Sequence, residues 1–269
     1  MCPTAQWYRQ WRSCVISRAN SDPTAPTVGA APAGARDART AAAAVREMFS
    51  AIAPRYDLLN HVLSCNVDRL WWWRTARSFS HILKRPEARA LDLCCGTGDM
   101  TLALAKYRPA SGVPILAADF ARPMLARAAV KVATKNIRVL ESDALQMPLP
   151  DASVDLIVSA FGFRNLADYE TGLREIYRLL RPKGEIGILE FSEPRGLLGK
   201  GYRIYFRHVL PRIGTLISGV SGAYSYLPAS VARFPEPPEM LERVKAAGFR
   251  QVSWTAYSFG IAGLFRGKK

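Results

Sequence analysis

A glycine turn follows a short apolar run in the first half of the chain, and its residue types are those of a ligand-binding turn. Residues 90–101 read ALDLCCGTGDMT, so Gly96 and Gly98 stand between this run and a helix-compatible stretch. Glycine has no Cβ, which lets the backbone turn sharply and approach a ligand closely. The first amides of the following helix then face whatever occupies the turn. The pattern predicts a ligand site, although glycines also end strands for purely structural reasons.

Two acidic residues follow the next two predicted strands. Asp119 ends the second strand, and Asp143-Ala144 comes after the third. In an open α/β sheet, ligands bind beyond the carboxyl ends of the strands. There, the Asp119 carboxylate can accept two hydrogen bonds from a ribose diol, and Asp143 with the Ala144 amide can meet an adenine edge. Each aspartate alone is equally well explained as a turn residue or a helix cap, but together they favour a nucleoside ligand.

The glycine turn differs from a dinucleotide-binding loop. Thr101 stands where the third glycine of such a loop is expected. Asp99 also places a negative charge where a pyrophosphate would bind, at the start of a helix. An acidic turn suits a cationic ligand, so S-adenosylmethionine fits this site better than NAD.

The elements that position these residues follow a regular order after Pro86. Short apolar strands alternate with helices, which predicts an α/β fold with a mostly parallel sheet and helices on both faces. The predicted strands are Leu91–Cys94, Pro114–Ala118, Ile137–Leu140, Asp155–Ala160 and Glu185–Phe191, and the predicted helices are Thr101–Tyr107, Pro123–Ala133, Tyr169–Leu180 and Glu239–Ala246. Val252–Tyr257 and Ile261–Arg266, on either side of Gly260, predict two closing strands and an antiparallel end to the sheet.

The chain is predicted to consist of a tail, residues 1–40, and one domain, residues 41–269, whose first part is helical. Residues 1–40 are rich in Ala, Pro, Arg, Thr and Ser without apolar periodicity, which is typical of a disordered tail. Five arginines against two aspartates also resemble an organellar targeting segment, and a start codon chosen too far upstream is a third reading. Residues 41–80 predict helices that cover the domain as a lid. The three consecutive tryptophans at 71–73 cannot point the same way on a helix, so at least one is expected at a pocket, membrane or partner.

Composition limits the function classes. Five cysteines without regular spacing and three scattered histidines argue against a disulfide framework and against a metal site. The formal net charge is +15, and residues 195–233 contain no Asp or Glu. Within the predicted insertion 195–235, an amphipathic, basic and aromatic stretch from Tyr202 to Ile217 fits contact with an anionic membrane. Nucleic acid is not expected as a partner, because this stretch lacks a groove-reading motif.

Several further motifs resemble one enzyme family. The glycine turn, ADF at 118–120, SDALQMPLPD at 142–151 and LRPKG at 180–184 are similar to class I S-adenosylmethionine-dependent methyltransferases. More narrowly, the chain resembles the family that methylates a ring carbon of demethylmenaquinol and polyprenyl-benzoquinol. The specific segments are MFSAIAPRYDLLN at 48–60, SAFGFRNLAD at 159–168, LEFSEP at 189–194, HVLPRIG at 208–214 and YSYLPASV at 224–231. The resemblance implies a Rossmann-like domain with a seven-stranded sheet in which one strand is antiparallel.

The resemblance also implies roles for individual residues. Thr97, Asp119, Asp143 and Ala144 would bind S-adenosylmethionine beside Gly96 and Gly98, and Ala160 stands where some relatives have a serine at this pocket. Cys95 stands where relatives often have glycine, which is tolerable if its φ is not positive. Arg164 is expected to stabilise a phenolate, with a loop-holding salt bridge as the alternative. Tyr56, Asp57 and Asn60 would close the pocket, and Asp57 and His208 are alternative bases.

The expected substrate is a lipophilic quinol, and no metal is expected. Whether the acceptor is a naphthoquinol, a benzoquinol or both stays open, as does a homo-oligomer or a complex with other enzymes of quinone biosynthesis. The expected location is the cytoplasm with peripheral membrane contact, or an organelle if residues 1–40 are a targeting segment. The alternatives are a methyltransferase for another small phenolic or sterol acceptor, and a non-catalytic scaffold of the same pathway.

Overall fold

A seven-stranded sheet forms the centre of the computed structural model of this protein. The structure describes residues 34–57, 61, 64, 66–194 and 223–269, together with residues 27, 29, 30 and 32. The strands are β1 Ala90–Leu93, β2 Ile115–Asp119, β3 Ile137–Glu141, β4 Val154–Ala160, β5 Leu180–Phe191, β6 Arg250–Tyr257 and β7 Ala262–Lys268. Their order is β3-β2-β1-β4-β5-β7-β6. Only β7 runs against its neighbours, so the predicted mostly parallel sheet with one antiparallel strand is confirmed.

Helices cover both faces of the sheet, as predicted. The described α-helices are α1 Ala38–Ile52, α2 Val67–Ser78, α3 Ser80–Leu83, α4 Asp99–Ala105, α5 Arg122–Val132, α6 Tyr169–Leu179, α7 Ala223–Arg233 and α8 Pro237–Ala246. Alternate strand residues point to opposite faces. In β4, Ile157 packs in the cluster that contains residues of α6 and α8, whereas Leu156 and Val158 pack with residues of α2, α3 and α4.

The largest difference from the predicted boundaries is at β5, which begins at Leu180 rather than Glu185 because Leu180 pairs with Val154 of β4. Several helices begin two residues earlier than predicted. Helix α4 begins at Asp99 rather than Thr101, because Gly98 adopts a left-handed conformation (φ 91°) and the helix continues directly from it. Helix α1 begins at Ala38 because Asp37 and Thr40 form a capping box, in which the Thr40 amide donates to Asp37 Oδ1 at 2.8 Å. It therefore begins inside the segment that the sequence analysis assigned to the tail.

Helix α1 leads into the site. A short 3-10 turn, Ala53–Arg55, follows it and contains Pro54. Ile52 and Ala53 pack against Ala121 and Met124 at the start of α5. This places Tyr56 and Asp57 beside the glycine turn.

Candidate active site

A cavity of about 1030 Å³, including its part open to solvent, lies at the carboxyl ends of β1, β2 and β4. This is where the sequence predicted ligand binding. One part of its wall is acidic and comes from the strand ends. Another part is aromatic and includes Phe49, Trp72, Phe120 and Phe161. The cavity therefore suits a ligand with a polar, cationic portion next to an aromatic one.

Most of the predicted cofactor-binding residues gather at this cavity. They are Gly96, Thr97, Asp119, Asp143, Ala144 and Ala160. Gly98 does not line the cavity; its left-handed φ of 91° instead lets the turn enter α4. Cys95 is not among the residues with positive φ, whereas Cys94 has a φ of 58°. The condition under which cysteine is tolerable at position 95 is therefore met.

Asp119 organises the glycine turn as well as facing the cavity. Its Oδ2 accepts a hydrogen bond from the Gly96 amide, and its Oδ1 accepts one from the Ala121 amide, both at 2.8 Å. Burial raises the pKa of this carboxyl, and the two amide bonds oppose that rise. A carboxylate has about four acceptor positions, so Asp119 retains capacity for a ribose hydroxyl.

Asp92 is a site residue that the sequence analysis missed. It lies in β1, lines the cavity and is fully buried. Thr101 Oγ1 donates to its Oδ2 at 2.5 Å, while Oδ1 has no hydrogen-bond partner among the residues that the structure describes. Burial raises the pKa of Asp92 to about 7, and the nearby charges of Asp119 and Asp99 add to the effect. An unsatisfied buried carboxylate oxygen fits the ammonium group of S-adenosylmethionine, because leaving it unpaired is costly.

Asp99, by contrast, already has a partner in the protein. Lys131 Nζ in α5 lies 2.9 Å from Asp99 Oδ1 and 2.7 Å from Asp57 Oδ2. Lys131 therefore partly offsets the charge of Asp99, and the turn is less acidic than the sequence alone indicated. Asp92 has no cationic partner among the described ion pairs, and with its pKa raised to about 7 it carries its full negative charge only above that pH.

Lys131 also joins the amino-terminal segment to the glycine turn. Thr97 Oγ1 donates to Asp57 Oδ1 at 2.5 Å, and Lys131 Nζ lies 3.3 Å from the same Thr97 oxygen. Arg127, one turn earlier in α5, donates to the Pro54 carbonyl at 2.8 Å. Helix α5 thus holds the segment that carries Tyr56 and Asp57 against the cavity. Asp57 does not itself line the cavity.

The three tryptophans of α2 point in different directions, as the sequence required. Trp71 is buried and donates from Nε1 to Ser258 Oγ at 2.9 Å. Trp72 lines the cavity, with its ring centre 5.9 Å from that of His61. Trp73 is 42% exposed. The indole of Trp72 belongs to the aromatic wall, together with Phe161, whose ring stacks on Phe191 at 4.4 Å.

Arg164 lies behind the cavity wall and not on it. It is buried in the 3-10 turn Phe163–Asn165, and its Nη1 pairs with Glu190 Oε2 at 2.9 Å. Its amide donates to Glu190 Oε1 at 3.0 Å, and Nη1 also donates to the Phe161 carbonyl. The adjacent carboxylate outweighs the effect of burial and raises the pKa of Arg164. These contacts are those expected if Arg164 holds the loop through a salt bridge. The catalytic role of Arg164 stays a prediction.

The other predicted catalytic residues fall in different places. Tyr56 lines the cavity. Asn165, next to Arg164, also lines it and accepts a hydrogen bond from the Tyr226 hydroxyl at 3.1 Å. That bond brings α7 to the cavity wall, a contact that the sequence analysis did not anticipate. His208, Asn60 and the stretch from Tyr202 to Ile217 lie outside the described residues.

The described residues offer neither a metal site nor a membrane-spanning helix. No group of three or more His, Cys, Asp or Glu side chains is placed there to hold a metal ion. None of the helices in that part of the chain is both long enough and apolar enough to cross a membrane.

The strand order and the site at the strand ends define a Rossmann-like methyltransferase domain. A solved S-adenosylmethionine-dependent methyltransferase from Thermotoga maritima aligns with a TM-score of 0.59, covering 84% of this chain and 99% of that one at 19% identity. A second, from Aquifex aeolicus, gives a TM-score of 0.50 over 69% of this chain and 85% of that one at 21% identity. At these identities the likeness establishes the fold.

Sequence comparison defines the family. The model of the ubiE/COQ5 methyltransferase family matches residues 35–269, and the chain belongs to that family. It is 50% identical to the demethylmenaquinone methyltransferase of Deinococcus radiodurans, over 84% of this chain and 92% of the relative. It is 47% identical to the protein of the same name from Thermus thermophilus, over 82% of this chain and 100% of the relative. The ubiquinone/menaquinone biosynthesis C-methyltransferase UbiE of Geotalea daltonii is 40% identical, over 84% of this chain and 96% of the relative.

Proposed function

We propose that this protein transfers a methyl group from S-adenosylmethionine to a ring carbon of a polyprenylated quinol in respiratory quinone biosynthesis. The acceptor is demethylmenaquinol, the benzoquinol precursor of ubiquinone, or both. The observation that carries the proposal is the two-part cavity, acidic at the strand ends and aromatic beside them. It occurs in a chain that is 50% identical to a protein named demethylmenaquinone methyltransferase.

The acidic part of the cavity is proposed to hold the cofactor. Asp119 would bind the ribose, Asp143 and Ala144 the adenine, and Asp92 the ammonium group. When bound, S-adenosylmethionine supplies an electrophilic methyl group on its sulfonium. Gly96, Thr97 and Ala160 complete this part of the wall. Fixing the two reactants in one orientation supplies much of the acceleration in a reaction of this kind.

The aromatic part of the cavity is proposed to hold the quinol ring. Trp72 and Phe161 offer flat apolar surfaces, and Tyr56 and Asn165 offer polar groups within the same wall. An aromatic carbon becomes a good nucleophile when a ring hydroxyl loses its proton. These polar groups would orient that hydroxyl, and the bond from Tyr226 would hold Asn165 in place.

Removal of the phenolic proton needs a base and a stabilised phenolate. We propose that Arg164 stabilises the developing charge from behind the wall, directly or through a water. Asp57 and His208 are the proposed alternative bases. Asp57 is engaged with Thr97 and Lys131, so its use as a base would require that contact to open.

The membrane is the proposed source of the substrate, because the polyprenyl tail is lipid-soluble. Peripheral contact with anionic lipid, through the stretch from Tyr202 to Ile217, and a cytoplasmic location belong to the same proposal. An organellar location would follow if residues 1–40 are a targeting segment. A homo-oligomer or a complex with other quinone-biosynthesis enzymes is left to experiment.

The test is direct turnover by the purified protein. Methyl-labelled S-adenosylmethionine is incubated with a short-chain demethylnaphthoquinol and with the matching benzoquinol, each reduced beforehand, and the products are identified by mass. We expect carbon-methylated product from at least one quinol. The control is Asp119→Asn, which should lower turnover because it disturbs both the glycine turn and the proposed ribose contact.

The same assay separates the alternatives. Methylation of simple phenols or sterols in place of quinols would identify another acceptor class. Cofactor binding without turnover of any quinol would contradict the proposal, and absence of cofactor binding by calorimetry would support the scaffold reading.

A further inference from the structure

The outward face of helix α2 combines apolar and cationic side chains. Its exposed residues recur three and four positions apart and therefore share one face of the helix: Arg69, Leu70, Trp73, Arg74 and Arg77. Leu70 is 48% exposed and Trp73 is 42% exposed. Asp68, the only acidic residue of α2, is buried. The exposed face thus carries three cations and no carboxylate.

Phe259 extends this face beyond the helix. It is 86% exposed and has a left-handed φ of 58°. The turn that carries it is fastened to α2, because Trp71 Nε1 donates to Ser258 Oγ and the Arg74 guanidinium lies 4.3 Å from the Tyr257 ring centre. A bulky side chain in this backbone region is costly. We call Arg69, Leu70, Trp73, Arg74, Arg77 and Phe259 the α2 surface.

The helix that carries the α2 surface also lines the cavity, with a different side chain. Trp72, between the buried Trp71 and the exposed Trp73, lines the cavity. Trp71 packs against Phe161, a second lining residue, with ring centres 5.8 Å apart. The same turn of helix therefore forms part of the cavity wall and of the outward face.

We propose that the α2 surface docks on an anionic lipid bilayer and positions the cavity mouth over it. Tryptophan is favoured at the membrane–water interface, and exposed cations beside apolar groups bind anionic lipid. Charge complementarity and continuity with the cavity select the bilayer as the occupant. The inference rests on the proposed function, since a polyprenyl tail is what requires access from lipid. It adds a second surface to the predicted stretch from Tyr202 to Ile217.

Vesicle flotation of the full chain tests this surface. The vesicles contain phosphatidylcholine alone or phosphatidylcholine with phosphatidylglycerol. Leu70→Ser/Trp73→Ser should weaken binding to the anionic vesicles about tenfold, through lost apolar burial. Arg69→Gln/Arg77→Gln should weaken it roughly thirtyfold, at about 1 kcal/mol for each cation, and should leave the weak binding to neutral vesicles unchanged.

Two further variants complete the test: one removes Phe259 without adding backbone strain, and the other is a control outside the α2 surface. Phe259→Gly removes the exposed ring and also relieves the positive φ, so binding should fall while thermal stability is kept or increased. Val130→Ser removes an apolar side chain that is 80% exposed on α5, away from the α2 surface, and should leave binding unchanged.

Unchanged anionic-vesicle binding in all three α2-surface variants overturns the proposal. A shift in sedimentation equilibrium on Leu70→Ser/Trp73→Ser, with vesicle binding intact, also overturns it and identifies a second copy of the chain as the occupant. Turnover of a short-chain quinol without vesicles reports the proposed function separately. If the wild type lacks that turnover, the proposed function fails, and the flotation result still decides the docking surface.

Discussion

Asp92 combines burial, a pKa raised to about 7 and an oxygen without a hydrogen-bond partner among the described residues of the site. A buried carboxylate with one unsatisfied oxygen destabilises the ligand-free protein, because no partner offsets its loss of hydration. Asp99, the acidic residue that the sequence analysis singled out, is paired with Lys131, which it shares with Asp57. Replacement by asparagine is therefore expected to weaken cofactor binding at Asp92 but not at Asp99.

We expect Asp92→Asn to weaken binding of S-adenosylhomocysteine about tenfold at pH 8, because the proposed charge–ammonium contact is lost. The pKa of Asp92 is about 7, and a bound cation favours its ionised form. Wild-type affinity should therefore rise with pH up to about 7 and then level off, whereas the variant should lack this dependence. Calorimetry across that range measures both effects. Asp99→Asn is the control, and an equal loss there would remove the special role of Asp92.

The same variant should stabilise the ligand-free fold. The folded pKa of Asp92 is raised above its ordinary value, so the folded state binds the proton more tightly than the unfolded state. Stability from this group is greatest at low pH and falls as pH rises towards 7. Asp92→Asn removes that penalty and should raise the free energy of unfolding by about 1–3 kcal/mol at pH 8. This gain in the free energy of unfolding should shrink as pH falls. Urea unfolding at pH 8 and at a lower pH measures it, and a loss of stability at pH 8 would contradict the prediction.

At the scale of elements, the sequence predicts the strands better than the contacts between helices. The core strands β1 and β2 are buried throughout and are apolar apart from Asp92 and Asp119, so their places in the chain follow from composition. Asp119 could be located because it ends β2, whereas Asp92 was missed because it lies inside the apolar run of β1. Lys131 could not, because its partners Asp57 and Asp99 are far away in the sequence and meet it only when α5 packs beside the glycine turn.

Arg164 shows a different limit of sequence reasoning. A motif identifies the residue, but only the fold reveals that Glu190 at the end of β5 is its partner. The pair joins the turn Phe163–Asn165 to the sheet. The pair can hold the turn in place, stabilise the phenolate, or do both.

We expect Arg164→Met and Glu190→Gln each to lower the free energy of unfolding by about 3–5 kcal/mol, since each leaves a buried group without its partner. The double variant Arg164→Met/Glu190→Met removes both charges and should recover most of that loss. If Arg164 stabilises the phenolate as proposed, turnover in the double variant stays about a hundredfold below wild type despite the recovered fold. Urea unfolding and the quinol assay measure the two quantities. Turnover that returns together with stability would assign the pair to loop-holding alone.

At the scale of the whole molecule, the site is assembled from distant parts of the chain. Tyr56 comes from the segment after α1, Asp92 from β1 and Asn165 from the turn after β4. Net charge and composition could exclude function classes but could not locate this assembly. The amino-terminal tail also takes part. The Gly29 amide donates to the Ala167 carbonyl at 3.0 Å, and the Ala30 amide donates to the Leu166 carbonyl at 2.7 Å.

Gly29 offers the sharpest test of whether this tail contact matters. Leu166 and Ala167 line the cavity, and a Cβ at position 29 would lie 2.0 Å from the Leu166 carbonyl oxygen. Gly29→Val should therefore displace the tail, lower the thermal midpoint and weaken binding of S-adenosylhomocysteine several-fold, because one wall of the cavity loses its support. Gly34→Ala is the control for backbone strain on the same tail: Gly34 has a φ of 86°, so alanine there should lower the thermal midpoint slightly, but its Cβ meets no atom within 4 Å and the affinity should stay unchanged. Deletion of residues 1–36 should reproduce the effect of Gly29→Val. Full affinity in both changed proteins would show that the cavity is complete without the tail, whereas a loss in both would extend the functional domain amino-terminal to residue 41.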